Sequence, residues 1–115
     1  MIELAWPHRW LNPNARKHFR VTAPIKAKAR EDAFYATKAV AMPRPLPFIG
    51  ERLPVCITFY PPDNRHRDDD NMIASFKSAR DGIADALGVN DRCFACHYQF
   101  EEPVKGGKIT VEIGR

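Results

Sequence analysis

At 115 residues with 44% hydrophobic side chains, the chain has material for one modest core and not for two. Its 18 Lys and Arg against 14 Asp and Glu leave a formal charge of +4, a basic balance that suits a nucleic-acid partner without defining one. No charged, signal-like start and no apolar run of the roughly 18 residues needed to cross a bilayer are present, and an odd number of cysteines argues against a disulfide framework, so a cytoplasmic, membrane-free protein is expected.

In chain order, residues 2–6 predict a first strand, ended by Pro7. Trp10 precedes an Asn12-Pro13-Asn14 turn and is expected to close the core, stacking on an exposed base being the alternative. Arg16 and Lys17, with His18 and Arg20, form a basic cluster beside that turn. Residues 22–42 predict a helix capped by Thr22, with Pro24 in its first turn and an apolar stripe of Ile25, Ala29, Ala33, Ala36 and Val40. Lys26, Lys28 and Arg30 crowd its first half, either to meet phosphate or as a solvated face. The Pro43-Arg44-Pro45-Leu46-Pro47 run is a stiff connector.

Val55, Ile57 and Phe59 alternate with Cys56, Thr58 and Tyr60, which predicts a strand covered on both faces and stopped at Pro61-Pro62. A polar loop follows, in which Arg65 and Arg67 either bind DNA phosphate or offset the adjacent carboxylates. Those carboxylates, Asp68-Asp69-Asp70 before Asn71, open an amphipathic helix whose apolar stripe is Met72, Phe76, Ala79, Ile83 and Leu87. Asp70, Ala74, Lys77 and Asp81 repeat at helical spacing beside it. Gly88 stops this helix and Val89-Asn90-Asp91 leads to a strand at residues 94–100. Gly106-Gly107 then turns the chain into a last strand at 109–113, expected to pair with its predecessor as a hairpin. The order predicts an α+β single domain over residues 1–115, with two main helices packed on one face of a small mixed β-sheet.

Three consecutive carboxylates are costly unless a cation or a helix N-terminus compensates them. One divalent cation shared by Asp68, Asp70 and Asp91, with Lys77 projecting toward what the cation holds, satisfies the first condition. Hard oxygen donors without His or thiolate select Mg²⁺, with Mn²⁺ possible, over zinc. A solvated N-cap at Asp68–Asp70 with a loop cap at Asp91 satisfies the second. Cys93, Cys96 and His97 do not make a zinc site, because positions three apart on a strand face opposite ways and no second pair completes the coordination. A calcium loop counted from Asp68 fails too, with Ile73 at its sixth position and Ala79 at its twelfth.

Asp68-x-Asp70-Asn71, the helix carrying Lys77 and Asp81, and Gly88-Val89-x-Asp91 together resemble the signature of the RusA-type Holliday junction resolvases. Leu11-Asn12-Pro13-Asn14-Ala15-Arg16 is similar to the Pro/Asn segment that opens many of them. One departure is that Lys77 stands about one helical turn farther from the Asp-Asn pair than the family's lysine. The resemblance implies a homodimer that resolves four-way DNA junctions by paired, Mg²⁺-dependent nicks in recombination and repair. It implies Asp68, Asp70 and Asp91 as metal ligands and Lys77 as the charge for the phosphate, with Arg16, Lys17, Arg65 and Arg67 as DNA contacts. A protein of the same fold that binds branched DNA without cutting it is the alternative.

Overall fold

Apolar residues at every second position in four segments build one mixed sheet, described with the rest of residues 1–115 by a computed structural model. The strands are β1 (Ile2–Ala5), β2 (Leu53–Tyr60), β3 (Phe94–Phe100) and β4 (Lys108–Ile113), and the helices α1 (Phe19–Lys38), α2 (Asp69–Ser75) and α3 (Lys77–Leu87). Short 3-10 turns occupy Arg9–Leu11, Pro13–Ala15 and Asp91–Cys93. Strand order across the sheet is β1-β4-β2-β3, antiparallel except for the parallel β2–β3 pair.

Register explains the core. Ile2 lies opposite Val111, which lies opposite Ile57, while Ile109 lies opposite Phe59, so the apolar residues of β1, β4 and β2 share one face. Ala33 of α1, Phe76, and Ile83, Ala84 and Leu87 of α3 cover that face in a single buried cluster. The expected α+β fold, with its helices on one face of a small mixed sheet, is what the chain adopts.

Four local expectations differ. The strand expected to form a hairpin with β3 instead inserts between β1 and β2. The loop after β3 runs back along the end of β2, through Glu101 N–H to Phe59 O (2.9 Å) and Val104 N–H to Pro61 O (2.9 Å), before the turn delivers β4 to the other side of β2. A side chain at Gly107 would press within 3.0 Å of both Pro62 and Trp6, which is why this turn needs glycine. The helix expected over 22–42 starts at Phe19, because the His18 imidazole caps Arg20 N–H at 3.1 Å; Thr22 lies buried inside it rather than capping it. It also ends at Lys38, beyond which Val40 and Met42 peel away to pack on the core.

The second helix pattern, read as one element, is two. Ser75 Oγ donates to Met72 O at 2.7 Å, and Phe76 N–H bonds Ile73 O rather than the carbonyl four residues back. A serine hydroxyl that takes a helical carbonyl in this way tightens the turn and divides the helix. Trp10, expected in the core, lies outside the buried cluster, whereas Trp6 packs against it with its ring 6.2 Å from Phe59. Pro7 and the 3-10 turn that follows carry residue 10 away from the sheet.

α1 and α3 touch where their backbones come closest. Gly82 faces the Arg30 carbonyl so tightly that a Cβ there would run into that oxygen, and Ala33 lies beside it. Arg30 adds a two-pronged pair to Asp85, Nε to Oδ2 at 2.6 Å and Nη2 to Oδ1 at 2.9 Å, and this partner holds the Asp85 carboxyl below the usual carboxylate range.

Two outcomes follow from this crossing. Gly82→Ala gains helix propensity of about 1 kcal/mol but forces the helices apart, so a net loss near 2 kcal/mol is expected by urea denaturation. Because Asp85 ionises more readily folded than unfolded, its contribution is present above the ordinary carboxylate range and fades as pH falls through its lowered folded value. Asp85→Asn therefore raises the acid-unfolding midpoint, read by circular dichroism across pH.

Candidate functional site

The acidic run is placed by ordinary helix capping. Asp68 has extended backbone (φ −77°, ψ 125°) and its Oδ1 accepts Asp70 N–H at 2.9 Å, while Asp69 and Asp70 fill the first turn of α2 at the positive end of the dipole. All three remain exposed. Along the same helical stripe, Ala74, Lys77 and Asp81 line one open cleft of about 520 Å³; Asp70 does not reach it.

Lys77 is the centre of the second cluster. Its Nζ lies 2.7 Å from Asp81 Oδ1 and 3.5 Å from Asp91 Oδ2. Asp91 arrives from elsewhere in the chain: Asn90 caps its 3-10 turn by accepting Arg92 N–H at 2.9 Å, and Arg80 Nη2 holds Asp91 Oδ2 at 3.2 Å. Arg80, absent from the sequence reading, thus shares Asp91 with Lys77, and its Nε is buried without a partner. Arg80 also acts on Tyr98, whose phenol pKa is raised by burial, with Cys96 adding to the rise and Arg80 opposing it.

The donor chemistry of Asp68, Asp70 and Asp91 suits a hard dication, but the structure does not gather them. No group of three or more His, Cys, Asp or Glu side chains stands together to hold a metal ion. Asp68 and Asp70 meet at the start of α2; Asp91 instead faces two cations. Of the expected site residues, Lys77 is therefore the one that the fold joins to acids from two separate segments.

The expected DNA contacts fall into two kinds. Arg65 and Arg67 both bind Asp63, at 3.4 Å and 2.9 Å, and Arg67 also donates to the Asp63 and Arg65 carbonyls. Together with the Arg65 backbone N–H, they hold the Asp63 carboxyl below its usual range. The carboxylate they offset is thus Asp63 rather than Asp68, Asp69 or Asp70, and the pairs give the loop its shape. Arg65, Arg67, Asp68 and Asn71 border a second cleft of about 570 Å³, which adjoins the first across Asn12 and Ser75.

Arg16 and Lys17 line the first cleft instead, with Lys26 of α1 joining them. Arg16 is the only non-glycine residue with positive φ (50°, ψ 42°), a conformation costing about 1 kcal/mol, and the Asn12–Asn14 turn before it sets that geometry. Lys26 was legible only as part of a basic helix face. Its spacing of four and seven from Arg30 and Ala33, the residues that meet α3, is the signal that turns it toward this cleft.

If Asp68 acts in the fold through its cap alone, its charge is dispensable for stability. Asp68→Ala is expected to cost about 1 kcal/mol in urea denaturation, whereas Asp68→Asn, which keeps a capping oxygen, stays near the parent value. Equal losses in both variants overturn the capping assignment.

No helix is long and apolar enough to cross a membrane. No family model matches the chain. It is 43% identical over 114 residues to an uncharacterized protein of Xylella fastidiosa, an alignment spanning 97% of this chain and 74% of the relative. With that identity carried across nearly its whole length, the chain belongs to one family with the Xylella fastidiosa protein.

Proposed function

We propose that this protein is a metal-dependent endodeoxyribonuclease that resolves four-way DNA junctions, working in the cytoplasm as a homodimer in recombination and repair, as its resemblance to the RusA-type resolvases implies. The observation that carries the reading is Lys77, whose ammonium meets Asp81 and Asp91 and which, with Asp81, lines a cleft that also holds Arg16, Lys17 and Lys26. The unpaired cations attract the DNA backbone, and Lys77 adds charge where a phosphate carries developing negative charge. The resemblance assigns Asp68 and Asp70, exposed at the start of α2, and Asp91 at the start of its 3-10 turn as oxygen donors for Mg²⁺ or Mn²⁺, a set that would form only if Asp91, now held by Lys77 and Arg80, came together with the other two. When bound, such an ion supplies positive charge to the phosphate and makes a water more acidic. Hydrolysis adds water across the phosphodiester: an O–P bond forms, the bond to the 3′-oxygen breaks, and that oxygen takes a proton. A 5′-phosphate and a 3′-hydroxyl remain.

One observation favours a second reading, a branched-DNA-binding protein of the same fold that does not cut. Asp91 faces Lys77 and Arg80 instead of joining Asp68 and Asp70. A synthetic four-way junction separates the two, since nicking in Mg²⁺ or Mn²⁺ supports the first and binding without nicking in either supports the second. Under the first reading, Asp70→Asn abolishes nicking while binding holds or tightens, because repulsion of phosphate falls. Lys77→Ala slows cleavage by about a hundredfold or more with a much smaller change in affinity. Cleavage unchanged in Lys77→Ala removes that residue from the mechanism.

A further inference from the structure

We infer that the cleft beside Trp10 binds an unpaired stretch of nucleic acid, its phosphates on Arg16, Lys17 and Lys26 and one base against the indole. The inference shares with the proposed function the premise that nucleic acid is the partner, and needs no cleavage.

Charge is the first support. The nine ion pairs of the chain include none of Arg16, Lys17 or Lys26. The acid lining their cleft beside Lys77, Asp81, is already held by that lysine at 2.7 Å. Other cations of the chain, such as Arg20, Lys38 and Arg44, are also in no ion pair, so what sets these three apart is that they line one cleft. Three cations left without carboxylates around one concavity repel each other until a polyanion enters.

The indole is the second support. Trp10 is half-buried, outside the hydrophobic cluster, and lines this cleft. Lys17 Nζ lies 4.8 Å and Arg9 Cζ 5.5 Å from its ring centroid. An aromatic ring set among cations is the arrangement that holds single strands, where the base stacks and the flanking phosphates pair with the cations. A duplex keeps its base faces stacked inside and offers only a convex backbone, so a ring recessed in a cleft of about 520 Å³ cannot reach them. An unpaired nucleotide fits the chemistry of both walls.

The test reads Trp10 directly. The chain has two tryptophans, so Trp6→Phe leaves residue 10 as the single reporter. Titration with a labelled oligothymidine in EDTA is expected to quench its emission in step with binding measured by anisotropy. In the otherwise unaltered chain, Trp10→Ala is expected to weaken oligothymidine binding about ten- to a hundredfold and to leave an abasic oligonucleotide of equal length unaffected. Lys26→Ala should reduce the slope of log affinity against log salt by about 0.7, one single-strand phosphate. Binding without quenching, equal binding of both oligonucleotides by Trp10→Ala, or equal quenching by a fully paired duplex overturns the inference. Because metal is absent throughout, a chain that never nicks DNA can still pass, and nicking without Trp10 quenching sinks this inference alone. The Trp10→Ala and Lys26→Ala comparisons stand even if Trp6→Phe, which touches the core, fails to fold.

Discussion

The contact between Gly82 and the Arg30 carbonyl fixes where chemistry can happen in this molecule. Two helices can approach to backbone distance only where side chains are absent or small, and Gly82 with Ala33 provides that point. One turn earlier on each helix, Ser78 of α3 and Lys26 of α1 diverge into the lining of the same cleft. Lys77 and Asp81 flank Ser78, so the crossing fixes the distance between the cations of α1 and the ion-paired lysine of α3. The Arg30–Asp85 pair holds the same crossing on its outer side, where solvent screening limits what it contributes.

Around that crossing the charges are sorted rather than mixed. Asp63 binds Arg65 and Arg67 and shapes the loop before α2. Asp91 binds Lys77 and Arg80. The remaining cations of the cleft, Arg16, Lys17 and Lys26, form no ion pair. A protein of small net charge can in this way present a locally strong positive field, and a count of Lys and Arg along the chain does not reveal it.

Much of the fold was legible because its signal is periodic. Alternation at residues 55–59 and 109–113 and the stripe from Met72 to Leu87 identified strands and a helix from their own residues. Sheet order was not legible, since Ile109, Val111 and Ile113 offer the same apolar face whether β4 follows β3 or lies between β1 and β2. The loop contacts from Glu101 and Val104 to β2 decide it, and those are tertiary. The His18 cap was missed because imidazole is an uncommon capping group beside a conspicuous Thr22, and Ser75 divided a helix whose apolar spacing continues unbroken through it.

The site divides along the same line. Asp68 as a cap and the Asp70–Ala74–Lys77–Asp81 stripe follow from helical geometry within one segment; the cap is found, and of the stripe Ala74, Lys77 and Asp81 share a cleft that Asp70 does not reach. The return of Asp91 after α3 was readable from Gly88 and Asn90, but toward Asp68 and Asp70 rather than toward the Lys77 it meets. Arg80 was not, for a physical reason. On the helix it follows Lys77 by three residues and looks like one more solvated charge, but with its side chain 27% exposed it reaches Asp91 at 3.2 Å, its Nε sealed from water. Both cations hold the same oxygen, Oδ2, so together they fix how the Asp91 carboxylate is turned while its Oδ1 keeps its capacity to accept. Arg80, as much as Lys77, therefore sets the orientation of this aspartate.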